Sequence, residues 1–284
     1  MTPADKVAAA EMRRLFAGEA LRPDGEVDLA RAALLIGAEE EPRRADIGSC
    51  LARLDEMGEE ARARAVRSGG SRVEALNRYL FEELGFAGNE SDYYDPRNSM
   101  LHQVLGRRTG IPITLSVVYI EVGRRAGLRV EAVGLPGHFV VRAFEDEEDE
   151  GVLVDPFNRR STDPEECQSR IDLIYDGRLE LGEDHLRAVG ARSILARMLG
   201  NLKAVYVRAG LHRRALSAVE RLLLLAPSDL DERRDRGMLL AQLGRLNEAV
   251  ADTQTYLNLS PDAADADAVR EQLKKMQARQ AMLN

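Results

Sequence analysis

The fold is decided between Asp92-Tyr93-Tyr94-Asp95-Pro96-Arg97-Asn98-Ser99 and Val154-Asp155-Pro156-Phe157-Asn158. Inside this stretch, Gly110-Ile111-Pro112 predicts a turn that leads into an apolar helix, because proline suits a first helical turn. Residues 129–133 then predict a strand, and two further apolar runs predict two more. One helix followed by short strands predicts a core with a small antiparallel sheet.

Six acidic residues, 145–150, lie between the apolar runs 138–144 and 151–155. A charged run between two apolar segments predicts a solvated hairpin loop. The run lacks the spacing of an EF-hand loop, so it does not indicate a calcium site.

The hairpin sets the relation between a histidine and an aspartate. If the loop is symmetric, Phe144 pairs with Gly151 and His138 lies opposite Phe157, two positions from Asp155. His138 and Asp155 then share one face of the sheet as diagonal neighbours, at roughly 7–8 Å between backbone positions and within side-chain reach.

Two interpretations of His138 and Asp155 stay open. As a pair, they supply the base and the orienting carboxylate of an acyl-transfer triad, because the carboxylate fixes the imidazole tautomer. Separately, a His after Pro136-Gly137 and an Asp before Pro156 can each have a local role in a turn.

The chain before this stretch predicts helices almost throughout. Apolar side chains keep a spacing of three and four through 28–38 and 45–68. Gly69-Gly70-Ser71 ends the second helix and can cap the next, which ends at Gly85. We therefore predict a helical N-terminal region, residues 1–87, that packs on a core of residues 88–192.

The tail, residues 193–284, contains a repeat of 34 residues. The residues that recur are Gly210 and Gly244, Ala215 and Ala249, Leu225 and Leu259, and Pro227 and Pro261. This period resembles that of tetratricopeptide repeats. The predicted units are 201–234 and 235–268, followed by a capping helix over 269–283.

Composition excludes several classes of function. The formal net charge is −8 and the Arg and Lys residues are spread along helices, so we expect no nucleic-acid partner. No apolar run approaches the ~20 residues of a membrane span, and Cys50 and Cys167 are too far apart for a metal site. The absence of GxGxxG, P-loop and HExxH motifs predicts no cofactor and no metal. A cytoplasmic location follows from the charge and the few cysteines.

Several segments in order resemble a known family. The transglutaminase-like pattern is Gly-x-Cys, a helix and then Arg-x-x-Gly, and it is resembled by Gly110–Ser116 followed by Arg124–Leu128. The His strand of that pattern is resembled by His138–Val140, and its Asp-Pro strand by Val154–Pro156. A closer resemblance, to the bacterial SirB-like family, is carried by Asp92–Ser99, Gly110–Ser116, Gly134–Phe139 and Asp155–Asn158. The resemblance implies an α+β fold: a helical N-terminus, a transglutaminase-like (papain-type) core and α-helical tetratricopeptide repeats.

The resemblance places Pro112 where the pattern has its nucleophilic cysteine. Proline carries no thiol, so the usual cysteine chemistry is not expected. Thr114 and Ser116 follow close behind; each could act as a nucleophile activated by His138 or could cap the helix start. Cys50 and Cys167 lie outside the motif and are interpreted as buried or incidental thiols.

The loop before the core helix predicts one wall of a cleft. The cleft residues that we predict are Tyr94, Asp95, Arg97, Asn98 and, after the last strand, Asn158. Arg97 and Asn98 would offer hydrogen-bond donors to a carboxylate or peptide group. The alternative is a turn that braces the two regions against each other.

The sequence leaves two functions to compare. The first is a cytosolic protein-interaction or scaffold protein whose repeat tail binds a partner protein or peptide. The second is a hydrolase or acyl transferase on peptide or amide bonds that uses His138, Asp155 and a hydroxyl or water nucleophile. The oligomeric state is not predicted. Residues 164–190 have no clear pattern beyond a short predicted strand at 178–181.

Overall fold

The computed structural model of the protein describes residues 2–146 and 148–282. Outside the described residues lie Met1, Glu147, Leu283 and Asn284. Glu147 belongs to the predicted acidic loop and Leu283 to the predicted last helix. The chain divides into two compact units, one that ends at Met198 and one that begins at Leu199. The finer division at 87/88 and at 192/193 stays a prediction.

The first unit is built mainly from helices. They are α1 (Pro3–Ala20), α2 (Leu29–Glu40), α3 (Ile47–Ser68), α4 (Arg72–Asn77), α5 (Leu101–Arg107), α6 (Pro112–Arg125) and α7 (Pro164–Tyr175), with α8 (Ala191–Arg208) running into the second unit. A π-helical turn over Arg78–Glu83 continues α4. The side chains of Asp28, Asp46 and Asp163 each accept a backbone N–H at a helix start, as N-caps do. The helices predicted at 28–38 and 45–68 are confirmed.

The strands form one small sheet and one short pair. They are β1 (Ala87–Gly88), β2 (Thr109–Gly110), β3 (Arg129–Val133), β4 (Val140–Phe144), β5 (Val152–Asp155), β6 (Arg160–Thr162) and β7 (Ala188–Val189). β1 and β2 pair in parallel, and the sheet has the order β6-β5-β4-β3-β7 with antiparallel neighbours. Val141 pairs with Val154, which confirms the register predicted from a symmetric loop. The α+β fold class is likewise confirmed.

The strand predicted at 178–181 is wrong, because a side chain binds the backbone groups that a neighbouring strand would need. Gln168, on α7, donates from Nε2 to the Leu179 carbonyl at 3.0 Å and accepts from the Leu181 N–H at 2.6 Å. The sheet instead ends, on the side of β3, with β7, which pairs with β3 through Ala188 and Val133.

Helix α6 is the centre of the first unit. Each of its residues from Pro112 to Gly123 is buried. The sheet strands β3 and β4 cover one side of α6, and α3 covers another. The start of α6 therefore lies deep inside the unit. This is the position at which the resemblance implies the nucleophile.

Helix α3 approaches α6 through a glycine. A Cβ atom at Gly58 would overlap the Cβ of Arg125 and come within 3.2 Å of its carbonyl carbon. We expect Gly58→Ala to destabilise the unit by about 1–3 kcal/mol, because an inserted methyl forces the two helices apart. Urea denaturation checks this, with Gly18→Ala as the control, since nothing lies within 4 Å of Gly18 in α1. Equal stability of the two variants would contradict the close approach.

The second unit continues as pairs of helices. After α8 come α9 (His212–Leu225), α10 (Leu230–Gln242), α11 (Leu246–Leu259) and α12 (Ala266–Ala281). Gly210 and Gly244, one repeat apart, have φ of 67° and 77° in the turns before α9 and α11, which explains glycine at both positions. The predicted helical repeats and the capping helix are confirmed for the described residues. None of the described helices has the length and apolar character needed to cross a bilayer.

Candidate functional site

His138 and Asp155 are in direct contact. His138 lies two residues before β4 and Asp155 ends β5, so the paired strands bring both side chains to one end of the sheet. The Nε2 atom of His138 lies 2.7 Å from Oδ2 of Asp155. Both residues are buried, with 3% and 5% of their surface exposed. A hydrogen bond of this length between a buried imidazole and a carboxylate fixes the orientation of the ring.

Asp155 is held by the turn that follows it. Its Oδ1 atom accepts the backbone N–H groups of Phe157 and Asn158 at 3.0 and 3.1 Å, and its Oδ2 atom accepts the Asn158 side-chain amide at 2.6 Å. Burial alone would raise the pKa of Asp155, but the hydrogen bonds and charge of His138 and the hydrogen bonds of Asn158 lower the pKa below its ordinary value. Asp155 therefore stays an anion at neutral pH.

His138 keeps one ring nitrogen for another group. Its backbone carbonyl accepts a hydrogen bond of 2.7 Å from Nη2 of Arg197, which fixes the main chain at this point. Burial lowers the pKa of Arg197 from its ordinary value. Within residues 2–146 and 148–282, Nε2 has Asp155 as its partner and Nδ1 has no hydrogen bond. Nδ1 is thus the atom that could act on a ligand or a water.

A pocket of about 310 Å³ opens beside this pair. Its lining includes His138, Asp155, Asn158, Cys167, Arg170 and Leu173. Three of these residues come from α7, the helix that the sequence did not predict. Sequence reasoning missed Arg170, Arg197 and Leu173, and no motif marks them: the positions of α7 and α8 depend on the packing of residues far along the chain.

Aromatic rings connect the pocket to the loop before α5. The ring of Phe157 lies edge-on to His138 with 6.4 Å between centroids, and Tyr93 lies edge-on to Phe157 at 6.1 Å. Tyr94 in turn packs edge-on against Tyr93. Gly88 lies against the same Phe157 ring, since a Cβ at Gly88 would come within 2.5 Å of it.

The start of α6 is linked to the pair through β1. The Gly88 N–H donates to the Phe157 carbonyl and the Asn89 N–H donates to the Gly110 carbonyl, two residues before Pro112. Pro112 is the first residue of α6 and is buried. The expected position of the nucleophile is therefore close in the fold to the His–Asp pair, but it carries no reactive atom.

Thr114 caps the helix. Its hydroxyl donates to the Asn98 carbonyl at 2.6 Å and accepts from the Ile111 N–H at 3.2 Å, and the residue is fully buried. Ser116 is also fully buried, and neither residue lines the pocket. The structure thus gives Thr114 the capping contacts that were one of the two alternatives. Among the described residues, neither hydroxyl contacts His138. A nucleophilic role for Thr114 or Ser116 stays a prediction.

The two thiols differ in position. Cys167 lines the pocket, but it also belongs to an apolar cluster with Val133, Val140 and Leu153. Burial raises the pKa of Cys167 and, on α3, that of Cys50. A raised pKa keeps a thiol protonated and unreactive at neutral pH. In the described part of the chain, no cluster of three His, Cys, Asp or Glu side chains could hold a metal ion.

The loop of residues 92–98 is braced from inside. Asn98 is fully buried and donates to the carbonyls of Asp92 and Tyr93, while Asp95 is buried and bound by Arg97. Of the predicted cleft residues, Asn158 lines the pocket. Tyr94, Asp95, Arg97 and Asn98 do not. The side-chain contacts of Asn98 lie within the loop and α5, so both interpretations of the loop stay predictions.

Comparison with known proteins matches both units. A family model described as the transglutaminase-like superfamily matches residues 48–200, and one described as a tetratricopeptide repeat matches residues 202–274. No solved structure matches the protein.

Relatives are found in bacteria and in mammals. The protein is 43% identical over 209 residues to a UPF0162 protein of Xylella fastidiosa, which covers 71% of this chain and 73% of the relative. It is 29% identical over 211 residues to a UPF0162 protein of Vibrio cholerae, which covers 74% and 77%. It is also 34% identical over 146 residues to F-box only protein 21 of Mus musculus, which covers 49% of this chain but 22% of that protein.

Proposed function

Because the chain belongs to the transglutaminase-like superfamily, and within it to the bacterial SirB-like (UPF0162) family, we propose that it is a cytosolic protein-interaction protein whose repeat unit binds a partner. The combination of a transglutaminase-like core with tetratricopeptide repeats supports an interaction role. The two cysteines, both free, are compatible with a reducing cytosol.

The observation that carries the proposal is a groove in the second unit. A cavity of about 590 Å³ lies among α10, α12 and the ends of α8 and α9. Met238 and Met276 give it an apolar floor, and methionines adapt their shape to different ligands. Lys275 and Arg279 line it from α12, and no acidic side chain among the described residues does.

The charge of the groove defines the partner. The protein as a whole carries a formal net charge of −8, yet the groove is basic. Opposite potentials favour encounter and exclude wrong partners. The proposed occupant is therefore a peptide segment of another protein that carries carboxylates next to apolar side chains.

In this proposal the core has no acyl-transfer nucleophile. Pro112 occupies the expected cysteine position, Thr114 is engaged in capping, and burial raises the pKa of Cys167. The core would then serve the interaction role through its surface and its pocket rather than through covalent chemistry.

One observation favours a second function, hydrolysis of a peptide or amide bond. The His138–Asp155 pair is assembled at a pocket with Nδ1 of His138 unoccupied among the described residues. A water activated by His138 would be the nucleophile, with Asp155 as the orienting group. This function predicts that His138→Ala abolishes turnover or traps a bound substrate.

Reversal of the groove charges tests the proposal. We expect the double variant Lys275→Glu/Arg279→Glu to lose at least about tenfold in affinity for an acidic partner segment, because two attractive contacts become repulsive. The partner is first captured from a native lysate by the whole protein, and its acidic segments are then measured by fluorescence anisotropy. Lys274→Glu is the matched control, since Lys274 lies on the same helix but pairs with Glu271 outside the groove.

The same experiment separates the two functions. Retention of the partner by His138→Ala and its loss from the groove variant support the interaction role. Trapping or loss of the partner by His138→Ala, with retention by the groove variant, would reject the groove and place the interaction at the pocket, and trapping in particular would favour hydrolysis there.

A further inference from the structure

The pocket beside His138 contains an arginine with no counter-charge. Arg170 projects from α7 into the pocket, and its guanidinium lies over the Phe157 ring at 5.8 Å from the centroid. Its Nε atom is buried without a hydrogen-bond partner. Among the residues that the structure describes, no carboxylate pairs with it. A buried guanidinium nitrogen without a partner is unfavourable, so the protein itself satisfies the charge of Arg170 poorly.

The two carboxylates of the pocket are already engaged elsewhere. Asp155 is bound by His138 and by Asn158. Glu166, one helical turn before Arg170, accepts Arg160 at 3.0 Å and the Thr162 hydroxyl at 2.9 Å. Neither carboxylate forms an ion pair with Arg170 among the described residues. The guanidinium therefore lines the pocket as a positive charge that no described carboxylate compensates.

One edge of the pocket is apolar and exposed. Leu173, on the pocket lining, is 85% exposed, and Ile174 beside it is 45% exposed. Ile174 lies against Gly137, the residue before His138, because a Cβ there would meet it at 3.0 Å. The rest of the lining is mostly polar. An apolar edge next to a positive charge suits a ligand with one anionic group beside an apolar side chain.

We propose that this pocket binds the carboxylate of a peptide, with Arg170 as its main contact and the neighbouring apolar side chain on Leu173 and Ile174. The planar guanidinium of Arg170 matches a carboxylate in two parallel hydrogen bonds. One arginine compensates one negative charge. A phosphomonoester carries ≈ −1.5 to −2 and would also face Asp155 and Glu166, so it fits less well.

This site is separate from the repeat groove and goes beyond the proposed function. The carboxylate can come from the free carboxyl terminus of a peptide or from a Glu or Asp side chain, since both present the same two oxygens. The two sources differ in where the apolar side chain lies relative to the carboxylate.

The ring signals of His138 in proton NMR report on this pocket, with the His138→Gln variant to assign them among the four histidines. We would titrate the whole protein with N-acetyl-leucine, with N-acetylglutamic acid α-amide and with inorganic phosphate. The neutral N-acetyl-leucine methylamide serves as the reference. We expect at least one carboxylate probe to shift the His138 signals at a Kd at least fivefold below that of the methylamide.

Variants at Arg170 decide the assignment. Arg170→Gln is expected to weaken the binding of the carboxylate probe at least fivefold, and Arg170→Lys is expected to retain part of the affinity. Arg178→Gln, beyond the end of α7, is expected to bind the probe like the wild type. Unchanged binding by Arg170→Gln, equal binding of the methylamide, or phosphate as the tightest probe would each overturn the proposal. Lys275→Glu/Arg279→Glu should leave these shifts unchanged, so failure of the groove proposal is distinguishable from failure of this one.

Discussion

Asp155→Ala is expected to lower the free energy of unfolding of the first unit by about 3–5 kcal/mol, because it removes one partner of a buried pair. The carboxylate accepts hydrogen bonds from His138, from the Asn158 side chain and from two backbone N–H groups of the following turn. All of these donors lose their acceptor in the variant, and the Phe157 N–H is buried. The measurement is urea denaturation followed by circular dichroism at pH 7.

Asp155→Asn is the matched variant. It keeps an oxygen that can accept the backbone N–H groups but has no charge for His138, so we expect a smaller loss, about 1–2 kcal/mol. A loss of less than about 1 kcal/mol in Asp155→Ala would mean that the pair does not stabilise the fold.

The pair also predicts how stability depends on pH. The pKa of Asp155 is lowered in the folded protein, with its burial outweighed by the His138 and Asn158 contacts. A lowered folded pKa means that the stabilisation is fully present above the unfolded pKa, about 3.9, and is lost as the pH falls through the folded value. The stability difference between wild type and Asp155→Asn should therefore shrink as the pH falls below about 4. A difference that grows below about pH 4 would contradict the lowered pKa.

The sequence was sufficient for the hairpin because local pattern and pairing agree there. Strands β4 and β5 are short apolar runs on either side of a charged loop. If the loop is symmetric, one register is left, and in it Val141 pairs with Val154. That register brings His138 to Asp155 without knowledge of any distant segment. The 34-residue repeat is similarly local, since a glycine with positive φ recurs once per repeat, in the turns before α9 and α11.

The pocket could not be predicted because its other wall comes from α7. The sequence of α7 has a mixed polar pattern, and its place is fixed by Cys167 and Ile171, which are buried, rather than by a motif. The burial of Asn98 in the loop at 92–98 was not predicted, for a related reason. Asn98 is a polar residue in a polar loop, which predicts exposure, but it is fully buried because its amide binds the loop's own carbonyl groups.

Asn98→Ala is therefore expected to destabilise the first unit by about 3 kcal/mol, a large effect for a residue in a surface loop. The Nδ2 atom of Asn98 donates to the Asp92 carbonyl at 2.8 Å and to the Tyr93 carbonyl at 3.3 Å. Its Oδ1 atom accepts from Asn89 at 3.1 Å and from Arg107 at 3.2 Å. Alanine offers none of these contacts and leaves a cavity at a fully buried position.

The loss of Asn98 should also release the loop that carries Tyr93 to Phe157. We expect faster amide hydrogen exchange over residues 89–98 in the variant, and unchanged exchange in the repeat unit. Glu90→Ala is the control, because Glu90 is exposed in the same loop and a surface change is usually within about 0.5 kcal/mol. If Asn98→Ala and Glu90→Ala behave alike, the loop is held by Thr114 and the Asp95–Arg97 pair instead. If Asn98→Ala alone frees the loop, this one buried amide positions the aromatic side of the His138 pocket.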